Sequence, residues 1–187
     1  MAMEEGDTLG LSNIYMERLL KDRLSVKSFL GVFSADQIPS SFLPHCNNSN
    51  SGGGGSSSNS RNDKKTLSCI VNTAKTSEKG RHFLALLKTK ENELIIMDSL
   101  CLDLSKSSPQ LWLCFKSSGR KIINLYSSPI QHDKSVYCGF YAIYHILYID
   151  SDSDKIASPN FSHTDLKSND TLVLKKIKKL IKARRKL

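Results

Sequence analysis

The run Cys-Gly-Phe-Tyr-Ala-Ile-Tyr-His-Ile-Leu-Tyr-Ile (Cys138–Ile149) constrains this chain more than any other segment. It is apolar almost throughout, contains no Pro and has no Gly after Gly139. It reads as a buried helix with a cysteine at its first turn. The free backbone N–H groups and the positive dipole end at a helix start favour thiolate over thiol. Such a thiolate is a nucleophile if the chain also supplies a base, an orienting carboxylate and an oxyanion donor.

Composition narrows the setting. A length of 187 residues suits one domain, here 1–187, with an appendage allowed. No stretch approaches a membrane span, and the N-terminal Met-Ala-Met-Glu-Glu-Gly-Asp lacks the basic-then-apolar order of a signal peptide. A reducing intracellular compartment is the expectation. The five cysteines (Cys46, Cys69, Cys101, Cys114 and Cys138) are scattered, with no C-x-x-C pair. Neither a zinc site nor a disulfide framework is indicated, so free thiols are the default. The net charge of +9 is uneven, with eight basic residues and no acid from Lys175 to Leu187. Setting those eight aside leaves 19 basic against 18 acidic residues. The basic end (Lys175, Lys176, Lys178, Lys179, Lys182, Arg184, Arg185) suits a polyanion, most often nucleic acid, or is simply a solvated helix end.

Leu11, Ile14, Tyr15, Leu19 and Leu20 predict an amphipathic helix over 12–23. Phe29–Phe33 reads as a short buried strand or the start of a turn. Residues 47–65 are rich in Gly, Ser and Asn, cannot bury apolar surface and read as a flexible insertion. Strands are expected at Leu67–Asn72, His82–Lys88, Glu93–Asp98 and Lys121–Leu125, with a hairpin loop at Thr89–Asn92. Ser108-Pro109 reads as N-cap and first residue of a short helix through Trp112 and Phe115. Near the end, Asp170 is expected to cap a basic helix, 170–187, with an apolar stripe at Val173, Ile177, Leu180 and Ile181.

Five histidines compete to serve Cys138. His145 shares its helical face but lies about 10 Å further along the axis. His132 has only Asp133 nearby, His45 borders the insertion, and His163 lies in a polar stretch. His82 starts an apolar strand, and Asp98 ends the next. A turn at Lys90-Glu91 sets His82 opposite Ser99 and beside Asp98, and a shift of one residue pairs it with Asp98 directly. The alternative is a histidine and an aspartate that merely end strands. Gln131, seven residues before Cys138, can donate its amide to a developing oxyanion beside the Cys138 N–H, or is an ordinary loop residue. Gly139 leaves space for a substrate backbone beside the sulfur.

The order His82, Asp98, Gln131, Cys138-Gly139 resembles the adenovirus-type cysteine proteases, the adenain family, which is related to the ubiquitin-like-protein proteases. Cys69–Ala74 followed by Gly80-Arg81-His82-Phe83, and Phe29–Phe33, are similar to family segments. The resemblance implies an α+β fold, with a mixed central sheet flanked by helices and a groove for an extended substrate. It implies Cys138 as nucleophile, His82 as base, Asp98 as orienting carboxylate (Glu in adenain proper, Asp in the ubiquitin-like-protein proteases) and Gln131 in the oxyanion hole. Phe83 stands where the family usually has Trp. Adenain uses DNA as a cofactor, which the basic end would suit. It is also activated by a viral peptide bonded to a cysteine. The stretch Gly119–Ile122 has no such cysteine, and Cys114 is the nearest.

The expectation is therefore a monomeric cysteine endopeptidase that cleaves viral precursor proteins during virion maturation, in the virion and host-cell nucleus. It needs no metal and has no membrane association. A ubiquitin-like-modifier deconjugating protease and a non-enzymatic DNA-binding protein are the alternatives.

Overall fold

The computed structural model describes residues 11–40, 42–43, 66–80, 82–151 and 160–184. Five strands form one mixed sheet in sequence order: β1 (Phe29–Ser34), β2 (Leu67–Asn72), β3 (Phe83–Lys88), β4 (Glu93–Met97) and β5 (Lys121–Asn124). The central pairs β2–β3 and β3–β4 are antiparallel, and the outer pairs β1–β2 and β4–β5 are parallel. Helices flank this sheet, so the molecule is α+β. The insertion at 47–65 lies outside the described residues.

β2, β3 and β4 are near-continuous apolar runs because both of their faces are covered. Ile70, Ala85, Leu87, Ile95 and Met97 face a layer built on α4 (Cys138–Ser151). Cys69, Val71, Leu84, Leu86 and Ile96 face Ile38, Phe42 and two short helices, α2 (Leu104–Ser107) and α3 (Pro109–Ser117). α4 packs on β3 and β2 on one side and on α5 (Leu166–Arg184) on the other. That double covering is why its sequence carries no polar face: Ala142, Ile143, Ile146 and Leu147 are all buried.

The chain punctuation differs from expectation in several places. The predicted helix over 12–23 divides into α1 (Asn13–Glu17), capped by the Ser12 side chain, and a π-helical segment (Arg18–Arg23). α2, capped by Asp103, was not anticipated. Ser108 precedes α3 but makes no side-chain cap; its hydroxyl donates instead to the Thr73 carbonyl at 2.9 Å. α5 begins at Leu166, not at Asp170. Asp165 caps it by accepting from Ser168 N, while Asp170 lies buried inside the helix. Gly119, at φ 67° just past the end of α3, holds the left-handed turn that sends the chain into β5. Cys114 is disulfide-bonded, where a free thiol was the default. Among the described residues, no helix is long and apolar enough to cross a membrane.

Candidate active site

The β3–β4 hairpin brings His82 to Asp98, in a register one residue away from the anticipated Ser99 pairing. Ala85 pairs with Met97, so continuing the ladder sets Asp98 against Leu84. His82, two residues before Leu84, then shares a sheet face with Asp98 as its diagonal neighbour. The Ser99 pairing would have put the two side chains on opposite faces. His82 Nε2 lies 2.6 Å from Asp98 Oδ1, and both residues are buried. The same carboxylate accepts from Leu100 N at 2.9 Å and Leu102 N at 2.8 Å. It therefore ends the strand and fixes the following turn, in which Cys101 takes a left-handed φ of 52°.

Cys138 opens α4 beside this pair. With Nε2 committed to Asp98, the remaining ring nitrogen of His82, Nδ1, is buried and has no well-directed hydrogen bond. The Cys138 thiol couples to the same ring. Burial pulls the His82 imidazole down, but the Asp98 hydrogen bond, the interaction with Cys138 and the charges of both outweigh it. The result is a pKa raised to about 9. Burial likewise pushes the Cys138 thiol up, but the His82 hydrogen bond and charge and the backbone N–H groups of Phe83 and Gly139 bring it below its ordinary value. Both directions favour a thiolate beside an imidazolium. Cys69 and Cys101, the other two free cysteines among the described residues, are pushed up, chiefly by burial.

Gln131 is fully buried and held at both ends. Ser99 Oγ donates to Oε1 at 2.6 Å, and Nε2 donates to the Ser135 carbonyl at 2.9 Å. A carbonyl can only accept, so this contact fixes which way the amide points and leaves one N–H of Nε2 uncommitted to Ser135. Ser99 also accepts Ile130 N at 2.9 Å and Gln131 N at 3.0 Å through its carbonyl. It is a site residue that sequence reasoning missed, although its place directly after Asp98 was the available signal. His82, Gln131 and Cys138 all line one groove of about 780 Å³, together with Asn72, Gly80, Phe83 and Leu100.

Gly139 does not leave room for a substrate. A Cβ there would lie 3.2 Å from Leu11 Cβ and 3.3 Å from Met16 Sδ, so the glycine admits the segment around α1 against the start of α4. His145 is buried 3.2 Å from the Tyr126 hydroxyl, and burial pushes it down to about 3. His132 is 3.3 Å from Asp133. His163 is 2.7 Å from Ser128 Oγ. His45 is outside the described residues.

The basic residues of α5 divide. Lys175, Lys178, Lys179 and Lys182 are exposed. Lys176 lies over the Tyr144 and Phe161 rings at 5.7 Å. Arg184 ion-pairs with Asp150 at the end of α4 and donates to the Leu24 carbonyl, which ties it to the body of the protein. Arg185 is outside the described residues. Among the described residues, no cluster of three His, Cys, Asp or Glu could hold a metal ion.

No family model matches the chain, and no curated protein matches it.

Proposed function

We propose that the chain is a cysteine endopeptidase of adenain type, acting on viral precursor proteins during virion maturation. One observation carries this reading: a buried His82–Asp98 pair at 2.6 Å whose ring couples to a Cys138 thiol pulled below its ordinary pKa. The resemblance of the His82, Asp98, Gln131 and Cys138-Gly139 series to adenain supplies the substrate class. It also favours the adenain-like fold over other mixed sheets.

In the proposed mechanism the Cys138 thiolate attacks the scissile carbonyl carbon. The free N–H of Gln131 Nε2 and the backbone N–H at the start of α4 receive the oxyanion. The tetrahedral intermediate collapses as the His82 imidazolium gives its proton to the leaving amine. Asp98 keeps Nε2 engaged, so the reactive proton sits on Nδ1. The neutral imidazole then takes a proton from water as water attacks the thioester. Carboxylate leaves, and the thiolate–imidazolium pair is restored.

DNA fits as a stimulating polyanion through Lys175, Lys178, Lys179 and Lys182, which are exposed within about 11 Å of α5. Stimulation of this kind falls steeply with salt. A peptide attached through a free Cys114 thiol is not part of the reading, because Cys114 is disulfide-bonded.

Asp98, the carboxylate of the ubiquitin-like-protein proteases, keeps a deconjugating protease as the second reading. The test uses two substrates, a fluorogenic peptide with a Gly-containing motif and a ubiquitin-like modifier fused to a fluorophore. Peptide cleavage that disappears in Cys138→Ala supports the endopeptidase. Release from the modifier alone favours the second reading. DNA binding with neither cleavage identifies a non-enzyme.

A further inference from the structure

We infer that Asn169 and Asp170 of α5 are positioning residues for the segment 130–135, and through it for the Gln131 amide. This inference rests on the protease reading above and deepens it, since it makes α5 part of the oxyanion machinery as well as a carrier of lysines.

The two residues are out of place for a helix interior. Asn and Asp compete with the helical backbone for hydrogen bonds, and burying their polar groups is costly unless each is satisfied. Asn169 is 2% exposed and Asp170 8% exposed. The docking of α5 does not need them, because Val173 and Ile177 already bury its apolar stripe.

Their polar groups are spent on the two ends of one segment. Asn169 Nδ2 donates to the Ile130 carbonyl at 2.7 Å and to the Ser162 carbonyl at 2.6 Å, and Oδ1 accepts Ser162 N at 2.9 Å. The Ile130 carbonyl receives a second donor, the Tyr141 hydroxyl at 3.1 Å, from the first turn of α4. The same hydroxyl lies 3.0 Å from Asp170 Oδ1. The His132 backbone N–H and the Ser135 hydroxyl both act on the Asp170 carboxylate against the burial that raises its pKa, the hydroxyl without a well-directed hydrogen bond. Ile130 directly precedes Gln131, and Ser135 provides the carbonyl that Gln131 Nε2 faces. α5 therefore holds the residue before Gln131 through Asn169 and faces the residues after it through Asp170, while Ser99 holds the inner side of the segment. Neither Asn169 nor Asp170 hydrogen-bonds Gln131 itself, so both would act through the segment. An amide displaced by a fraction of an ångström donates poorly to an oxyanion, whereas the thiolate is set by His82 and does not depend on it.

The test separates these two functions on the whole protein with two small probes. The Cys138 thiolate attacks the methylene carbon of iodoacetamide directly: an S–C bond forms, the C–I bond breaks, iodide leaves, and no oxyanion develops. p-Nitrophenyl acetate acylates the same sulfur through a tetrahedral oxyanion and releases p-nitrophenolate. The ratio of acylation to alkylation rates cancels any loss of folded protein. Asn169→Ala is expected to lower this ratio about tenfold, short of the roughly 10²- to 10³-fold loss typical of removing an oxyanion donor itself, as in Gln131→Ala. The near-isosteric Asp170→Asn is expected to lower it in the same direction and covers the case in which Asn169→Ala folds poorly. A wild-type ratio in both variants overturns the inference while leaving the protease reading intact. A wild-type protein whose Cys138 reacts with neither probe at mildly acidic pH overturns both.

Discussion

Two histidines are equally buried in this molecule and carry opposite chemistry. His82 at the mouth of the sheet is 3% exposed, and His145 in the middle of α4 is 2% exposed. Burial disfavours the imidazolium in both. Among the described residues His145 hydrogen-bonds the Tyr126 hydroxyl and no charged group, and burial lowers its pKa to about 3. His82 has the Asp98 carboxylate on one nitrogen and the Cys138 thiol coupled to its ring, and its pKa rises to about 9. The difference lies in the partners and not in the depth. It is why a histidine on the same helix as Cys138 is packing, while one 56 positions away in sequence is the proposed base.

The largest separation between the two sites is expected on deleting each ring. His82→Ala is expected to lower kcat/KM for a cleavable peptide by about 10²- to 10⁴-fold, the range of a lost general acid–base. His145→Phe is expected to leave kcat/KM within a few-fold while lowering stability by about 0.5–1.5 kcal/mol, because the Tyr126–His145 hydrogen bond is lost. Urea melts alongside kinetics would show the two effects on different axes. Comparable kinetic losses from both changes would break the contrast.

A smaller effect is expected from Asp98→Asn, which keeps the shape and removes the charge that offsets burial. The upper limb of the pH–rate profile, near 9 in the parent, is expected to move down as His82 loses its proton earlier. A profile that stays in place would mean that Asp98 orients the ring without setting its charge.

The smallest effect is on stability against pH. Taken alone, His82 contributes stability that is full below its ordinary 6.5 and lost as pH rises through about 9. Cys138, depressed, contributes stability that is full above 9.0 and lost as pH falls through its lowered value. The two slopes have opposite signs and offset each other where their pH windows overlap. His145 behaves differently. Its folded pKa lies below the unfolded value, so its effect is to lower stability as pH falls from 6.5 toward about 3. His145→Phe is expected to flatten the acid limb of a stability–pH curve, and His82→Ala is not expected to flatten it in that way.

Much of the architecture could be read from local pattern. The apolar runs of β2, β3 and β4 and the unbroken run from Cys138 needed no long-range information, because covering on every side leaves its mark residue by residue. The hairpin register did not follow from pattern: β3 and β4 are apolar on both faces, so a one-residue slip moves no polar group into the core. Asn92, at φ 62° in the connecting turn, shows where the chain reverses, and its identity alone did not dictate that. Ser99 was overlooked because a serine after a strand is usually turn chemistry. Its role depends on Gln131, 32 residues later. Asp170 looked like a helix cap for the same reason that Asp165 is one. Only the packing of α5 on α4 separates the cap from the buried carboxylate.

The central claim is that His82 and Cys138 rest as an imidazolium–thiolate pair, and the pH dependence of Cys138 alkylation tests it most directly. Iodoacetamide rates followed by mass spectrometry from pH 4 to 10 are expected to stay high well below 9.0 in the parent protein. In His82→Ala they are expected to collapse across that range, with the midpoint moving up because only the Phe83 and Gly139 N–H groups then oppose burial. A parent protein that titrates as an ordinary thiol near 9.0, with a profile His82→Ala leaves unchanged, would contradict the account.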